Sequence, residues 1–136
     1  DPVTLFSEEG DAIATVTVTD VERDWQGFDK YQEPDKGTEY VAVTIKVDSN
    51  VAKGALEVKS YDFSLQDGKS FLWGASYATN EDSADEIQVL SDDLLLANGE
   101  SGEFLVIFQT RTGEPLQHVF WNPDKALLTL ADLSEI

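Results

Sequence analysis

The side chains that could do chemistry in this chain are a single histidine and many carboxylates. His118 lies in the segment LQHVFW, beside Val119 and Trp121. A Ser-His-Asp unit would need this histidine as its base, but the sequence has no G-x-S-x-G elbow and no cysteine nucleophile. With 27 Asp and Glu residues, carboxylate pairs at glycosidase spacing arise by chance and carry no information. We therefore expect no enzyme, and we interpret His118 as an ordinary strand histidine.

One acidic segment could bind Ca²⁺, which prefers hard oxygen ligands. The ordered spacing of an EF-hand is missing, and no glycine stands where such a loop turns, so a solvated acidic loop is the alternative. We expect no other cofactor. The segment contains Glu81, Asp82, Asp85, Glu86, Asp92 and Asp93, of which Asp82, Asp85, Asp92 and Asp93 are the metal candidates.

Aromatic side chains in polar segments could stack on a sugar or contact a protein. Segment 22–37 is charged and is interrupted by two glycines and a proline. A connection of this length is uncommon unless it binds something or is ordered by its own side chains. The binding candidates are Trp25, Phe28, Tyr31 and Tyr77, and Trp73 could join a sugar-stacking platform. The alternative is that Trp73 is a core residue and that Trp25 fills the base of its own loop.

The composition narrows the class of protein and the kind of partner. A chain of 136 residues suits one domain, residues 1–136, with a single packed core. The formal net charge of −18 repels nucleic acid and anionic lipid, so we expect neither as a partner. No apolar run is long enough to span a bilayer. Because the chain contains no methionine, we expect an upstream segment, which would be a signal peptide, an anchor or another domain.

The elements that must position these side chains are short strands. Segment 12–21 and segment 38–48 alternate apolar and polar residues, and 101–110 is apolar on both faces, as in a central strand. In segment 38–48, Val41, Val43, Ile45 and Val47 form the apolar face, and Ala42, Thr44 and Lys46 the wet face. Further strands are expected near 55–60, 116–121 and 126–133. The pattern predicts an all-β, immunoglobulin-like antiparallel sandwich of seven or eight strands, with a closed barrel as second choice.

Segment 61–74 predicts a β-hairpin. With a Gln66-Asp67-Gly68 loop and Gly68 in the left-handed conformation, Tyr61, Phe63, Phe71 and Trp73 would share one face. A two-residue Asp-Gly turn would move Phe71 and Trp73 to the other face. We favour the first register, because the second leaves two large aromatic side chains on the solvent-exposed face.

Three segments resemble a known family. KGTEYVAVTIKVDSN, YDFSLQDGKSF and LLANGESGEFLVIF occur in the order that the family has, over residues 12 to 121. The sequence departs from the family at Asn98, where proline is usual, and in a shorter spacer between Glu100 and Gly102. The family is the bacterial domain of unknown function found in secreted proteins and lipoproteins, an immunoglobulin-like sandwich related to the mycobacterial immunoprotective extracellular antigen. It offers no catalytic residues to carry over.

The resemblance implies export, with a signal peptide upstream and either a lipid-anchoring cysteine or a flexible tether. We therefore expect a secreted or cell-surface-anchored bacterial domain without enzymatic activity. Its partner would be another extracellular protein, contacted through loops 22–37 and 76–93. A carbohydrate- or Ca²⁺-binding surface module is the alternative.

Overall fold

Within residues 1–81 and 87–136, which the computed structural model describes, the chain forms ten β-strands and one short 3-10 helix at Ser60–Asp62. No helix in this part of the chain is long and apolar enough to cross a membrane. The strands are β1 Val3–Phe6, β2 Ala12–Glu22, β3 Thr38–Ser49, β4 Ala55–Val58, β5 Phe63–Asp67, β6 Leu72–Gly74, β7 Leu94–Ala97, β8 Ser101–Arg111, β9 Leu116–Trp121 and β10 Leu128–Asp132.

The strands form two four-stranded antiparallel sheets and a small third sheet. The first sheet has the order β1-β2-β3-β8, the second has the order β10-β9-β5-β6, and β4 pairs with β7. The longest pairing joins β3 to β8, from Thr38 opposite Arg111 to Asp48 opposite Ser101, without a register shift. The predicted antiparallel sandwich is confirmed, and the closed barrel is not what forms. The number of strands exceeds the prediction, and β1 was not among the expected elements.

The main core lies between the two four-stranded sheets. Period-two alternation in β3 places Val41, Val43, Ile45 and Val47 inside, each with no exposed surface. From the second sheet, the ring of Phe63 stacks on that of Trp121, with 5.6 Å between their centroids. The predicted apolar face of β3 is therefore confirmed.

The predicted wet face of β3 is only partly wet. Lys46 is exposed, but Ala42 and Thr44 are buried, with 3% and 7% of their surface exposed. On this side of the sheet, Trp25 and Ala78 pack with Ala42 in a second apolar cluster. The expectation of a solvated face was wrong because two long connections fold back over it, which strand periodicity cannot show.

The hairpin from β5 to β6 has neither predicted register. Leu65 pairs with Trp73, so residues 68–71 form the loop, and the left-handed residue is Ser70 (φ 69°) rather than Gly68. Of the four aromatic residues expected on one face, Phe63 is buried in the core and Trp73 packs half-buried against it. Tyr61 and Phe71 are mostly exposed, at 68% and 57%.

The buried carboxylate of Asp67 explains this register. Asp67 has no exposed surface, and its Oδ1 accepts hydrogen bonds from the backbone N–H groups of Lys69 and Phe71 at 2.8 and 3.1 Å. Its Oδ2 accepts from Trp73 Nε1 at 2.9 Å and from Arg111 Nη2 at 2.6 Å. These bonds wrap the loop around one side chain. The Arg111 guanidinium lies over the rings of Phe71 and Trp73, at 4.9 and 5.4 Å from their centroids, and so stabilises both rings in the hairpin.

Candidate interaction surface

The four aromatic binding candidates lie in one region, but at two depths. Trp25 is buried, Phe28 is half-buried, and Tyr31 and Tyr77 are 84% and 96% exposed. Trp25 therefore cannot offer its ring to a ligand, which corrects the expectation of four aromatic side chains in one exposed set. Trp73 lies in β6, where its Nε1 donates to Asp67 Oδ2 and its side chain is half-buried. The sugar platform proposed from the sequence is therefore reduced to the two tyrosines.

A group of three aromatic rings anchors loop 23–37 to the first sheet. Trp25 lies edge-on to both Phe28 and Tyr40, with 6.3 Å between centroids in each case, and Phe28 lies 5.4 Å from Tyr40. The backbone N–H of Trp25 donates to the carbonyl of Tyr40 at 2.8 Å. Edge-to-face pairs of this kind stabilise a packing arrangement beyond the area that they bury. The loop is therefore ordered by its own aromatic side chains, as one of the two sequence interpretations held.

The phenol of Tyr40 reaches from the sheet to the loop. Its hydroxyl donates to the carbonyl of Gln32 at 2.7 Å. Burial raises the pKa of Tyr40, and the nearby charge of Asp35 raises it further, against a hydrogen bond with Ser76 that lowers it. Tyr40 therefore stays protonated and keeps donating to the loop throughout the physiological pH range.

Segments 27–32 and 79–81 are joined to each other by backbone and side-chain hydrogen bonds. Gln32 Oε1 accepts from both the backbone N–H and the hydroxyl of Thr79, at 2.8 and 3.1 Å. The N–H of Asp29 donates to the carbonyl of Thr79 at 2.9 Å, and the N–H of Glu81 donates to the carbonyl of Gly27 at 2.8 Å. Two connections that are distant in sequence therefore form one continuous surface.

The two exposed tyrosines stand on these joined segments. The N–H of Tyr31 donates to Asp29 Oδ1 at 3.0 Å, which fixes the turn that carries its ring, and the Lys30 ammonium lies 5.1 Å from that ring. Tyr77 lies between Ser76 and Ala78, and the N–H of Ser76 donates to the carbonyl of Ile107 in β8 at 2.7 Å. We call this surface, made by residues 28–32 and 76–80, the tyrosine platform.

An ion pair holds the beginning of the loop. Arg23 Nη2 lies 3.2 Å from Glu39 Oε2, and the Glu39 side chain also accepts from the backbone N–H groups of Asp24 and Gly113 at 3.0 and 2.8 Å. Burial alone would raise the pKa of Glu39. The hydrogen bonds from Arg23, Gly113 and Asp24 and the charge of Arg23 outweigh burial and lower it. Glu39 therefore fixes the entry of the loop as a carboxylate.

The metal candidates are not brought together in the described structure. Asp82 and Asp85 lie outside the described residues, while Asp92 and Asp93 are exposed in the segment before β7. Among residues 1–81 and 87–136, no group of three or more His, Asp or Glu side chains is arranged to hold a metal ion. The Ca²⁺ hypothesis stays a prediction.

His118 has structural partners on the outer side of the second sheet. Its Nδ1 lies 3.2 Å from Gln66 Oε1 across the β5–β9 pair, and its ring lies 5.7 Å from that of Phe120. Asp132 is paired with it on β10. These contacts are those of a half-buried histidine in a strand.

Sequence reasoning found the exposed tyrosines but missed what supports them. In the sequence, Tyr40 is recognisable only as the beginning of a strand, and nothing distinguishes Gln32 from its neighbours. A tyrosine at the beginning of a strand, on the face expected to be solvated and after an aromatic loop, is a usable signal for such support. Nothing in the local sequence indicates that Gln32 bonds to Thr79, because the two residues are joined only by the fold.

The strands and loops define a two-layer, immunoglobulin-like β-sandwich domain in which two connections cover one sheet. The family model described as Domain of unknown function (DUF4352) matches residues 9–121, and the chain belongs to this family. Among curated proteins, none matches the sequence.

Two solved structures share the fold. The crystal structure of a "putative lipoprotein (ycdA)" from Bacillus subtilis subsp. subtilis str. 168 superimposes with a TM-score of 0.66 at 19% identity, covering 98% of this chain and 39% of that one. This chain therefore spans about two-fifths of the length of the Bacillus protein. MPT63, a secreted protein from Mycobacterium tuberculosis, superimposes with a TM-score of 0.61 at 13% identity, covering 94% of this chain and 88% of that one.

Proposed function

We propose that this domain is a non-enzymatic interaction module on the outside of a bacterial cell, and that it contacts another extracellular protein through the tyrosine platform. The observation that carries the proposal is the pair of highly exposed rings, Tyr31 and Tyr77, on two loops that are bonded to each other and anchored to a sheet. Tyrosine is enriched where proteins bind each other, because its ring offers apolar area and its hydroxyl a polar contact.

The order of the platform matters for its function. An exposed ring on a mobile loop must lose conformational freedom on binding, which costs free energy. Here Gln32 and Tyr40 already hold the loop by hydrogen bonds, and Trp25 packs beneath it. The platform is therefore preorganised, and more of its contact free energy is available to the complex.

The proposed location outside the cell is supported by how the structural neighbours are described. One is described as a lipoprotein and the other as a secreted protein. At 13–19% identity the likeness shows the fold alone, so location and any lipid anchor belong to the proposal.

Site-specific photo-crosslinking in the producing bacterium tests the proposal. We expect p-benzoylphenylalanine in place of Tyr31 or Tyr77 to give the same discrete crosslinked protein product. The matched control is the same amino acid in place of exposed Thr129 on β10, in the opposite sheet. No product at either tyrosine, or the same products at all three positions, would refute a partner surface at the platform.

A glycan array distinguishes the carbohydrate alternative. If the domain binds a defined glycan and the Tyr31→Ala/Tyr77→Ala variant does not, the platform stacks on sugars and the protein-binding proposal is wrong. Calorimetry with Ca²⁺ addresses the remaining alternative in the same samples.

A further inference from the structure

A cleft of about 770 Å³ opens far from the tyrosine platform. Within β3, Tyr40 lies beneath the platform and Ser49 is the last residue of the strand. The N–H of the next residue, Asn50, donates to the carbonyl of Ile13 in the cleft wall. At the rise of an extended strand, the two regions are about 30 Å apart. The cleft is a separate surface feature, and its volume is in the range of ligand sites.

The cleft lies between the edges of the two main sheets. Strand β1 and the β1–β2 turn form one side, β4 and the end of the 3-10 helix form another, and the β9–β10 turn closes the third. Apolar side chains from several of these elements line it, including Leu5, Phe6, Ile13, Leu56 and Ala126. Phe6 keeps 57% of its surface exposed at this site, so its ring is accessible to a ligand in the cleft.

Four of the charged side chains in the cleft wall form two ion pairs with each other. Glu57 Oε1 lies 3.0 Å from Lys59 Nζ, and Glu8 Oε1 lies 3.7 Å from Lys125 Nζ. The remaining charged residues of the lining, Asp62 and Asp124, are both acidic. The cleft therefore has an excess of negative charge after its own cations are counted.

Asp62 is a lining residue whose carboxylate has no bonding partner among the described residues. It is half-buried, and within the described residues its carboxylate has no hydrogen bond and no ion pair shorter than 4 Å. Burial raises the pKa of Asp62, and the negative charges of Asp93 and Glu57 raise it further, although Lys59 opposes them. A cation that pairs with this carboxylate would offset the free-energy cost of burying its charge, since charge-assisted hydrogen bonds are among the strongest in proteins.

We propose that this cleft binds a short peptide segment in which a lysine or arginine stands beside an apolar residue. The cationic head pairs with Asp62, and the apolar side chain packs on Phe6 and the neighbouring wall. The argument is charge complementarity together with an exposed apolar surface next to the unpaired carboxylate. The strong negative field of the whole chain, at −18, would draw such a segment toward the domain.

Amide chemical-shift titration of the ¹⁵N-labelled domain tests this inference. The probe is the blocked peptide acetyl-Ala-Phe-Lys-Ala-amide in buffer with about 0.15 M salt, which screens non-specific attraction to the acidic surface. We expect saturable shifts at Leu56, Asp62, Asn122 and Ala126, all in the cleft wall. Shifts spread over the whole acidic surface without saturation would overturn the proposal.

Matched probes and variants identify what the cleft recognises. We expect Asp62→Asn to weaken binding about tenfold, the size expected for one charge-assisted hydrogen bond, and Asp20→Asn, on the outer face of β2, to leave it unchanged. The Gln-for-Lys peptide should bind as weakly as the Asp62→Asn variant binds the lysine peptide. Equal binding of both peptides, or equally tight binding of spermidine at the same amides, would rule out a basic peptide.

Two further variants keep the test independent of folding and of the platform. Because the Asp62 carboxylate makes no hydrogen bond or ion pair within the described residues, Asp62→Asn should melt at the wild-type temperature. Phe6→Ala should weaken peptide binding by removing part of the apolar wall. Tyr31→Ala/Tyr77→Ala should bind the peptide like the wild type. A loss there would show that the peptide binds the platform and not the cleft.

Discussion

Replacing Asp67 with asparagine should strongly destabilise the domain, although the two side chains have nearly the same shape. The Asp67 carboxylate is fully buried and accepts four hydrogen bonds, two at each oxygen. Asparagine keeps one acceptor oxygen, which can serve the loop N–H groups of Lys69 and Phe71. Its amide NH₂ then faces Trp73 Nε1 and Arg111 Nη2, both of which are donors.

The magnitude follows from the two contacts that are lost. A buried indole N–H left without an acceptor costs about 1–3 kcal/mol, and removing one partner of a buried ion pair costs about 3–5 kcal/mol. The second figure is an upper bound here, because the Arg111 side chain is 36% exposed and Glu114 lies 3.6 Å away. We therefore expect a loss of about 3 kcal/mol in the free energy of unfolding, which lowers Tm by about 10 °C in a domain of this size.

Urea and thermal unfolding followed by near-ultraviolet circular dichroism measure the effect. The matched control is Asp20→Asn, an exposed aspartate on β2, which should melt with the wild type. If Asp67→Asn melts within about 2 °C of the wild type, the carboxylate does not hold the hairpin as described.

The same carboxylate gives the unfolding free energy a signature in pH. Burial alone would raise the pKa of Asp67, but the hydrogen bonds from Trp73, Lys69 and Phe71 and the charge of Arg111 lower it below its usual value. A carboxyl with a lowered folded pKa contributes stability that is full above its unfolded pKa of about 4 and is lost as pH falls through the folded pKa. The difference in unfolding free energy between the wild type and Asp67→Asn should therefore shrink as pH falls below about 4. A difference that is constant with pH would contradict this reasoning.

Three further substitutions test the support of the tyrosine platform. Trp25→Ala removes a buried indole and should cost about 3 kcal/mol or more, lowering Tm by about 10 °C in a thermal melt, whereas Tyr31→Ala should change Tm by less than about 2 °C. Gly27→Ala places a methyl group 2.8 Å from the Trp25 ring and should lower Tm by several degrees, whereas Gly74→Ala, with open space around it, should not. Glu39→Gln should destabilise the domain at pH 7, and the difference should shrink as pH falls below about 4, because the pKa of Glu39 is lowered in the folded state. Equal melting of the Gly27→Ala and Gly74→Ala variants, or a Glu39→Gln effect that does not vary with pH, would contradict these expectations.

The sequence allowed the central strands and the class of fold to be predicted because β-branched and aromatic residues are concentrated in them. The residues of β3 and β8 that enter the main core stand at every second position, and this local pattern needs no knowledge of the neighbours. The resemblance over residues 12 to 121 also agrees with the family match over residues 9–121. Strand β1 was missed because its four residues contain too little pattern to separate a strand from a loop.

The remaining errors all come from contacts between segments that are distant in the sequence. The hairpin register depends on Arg111, which lies 44 positions after Asp67 and binds its carboxylate. The outer face of β3 is buried at Ala42 because Trp25 and Ala78 pack against that residue. For the same reason, the sequence groups the buried Trp25 with the exposed Tyr31 and Tyr77, since only the fold separates side chains that anchor the loop from side chains that face solvent.

Calorimetric titration of the partner identified by crosslinking against the wild type and the Tyr31→Ala/Tyr77→Ala variant gives the most direct measurement. We expect the affinity to fall by about 100-fold, the effect of losing two aromatic contact residues of about 1–2 kcal/mol each, while Tm stays at the wild-type value. Equal affinity of the two proteins would show that the exposed tyrosines are not the surface through which this domain recognises its partner.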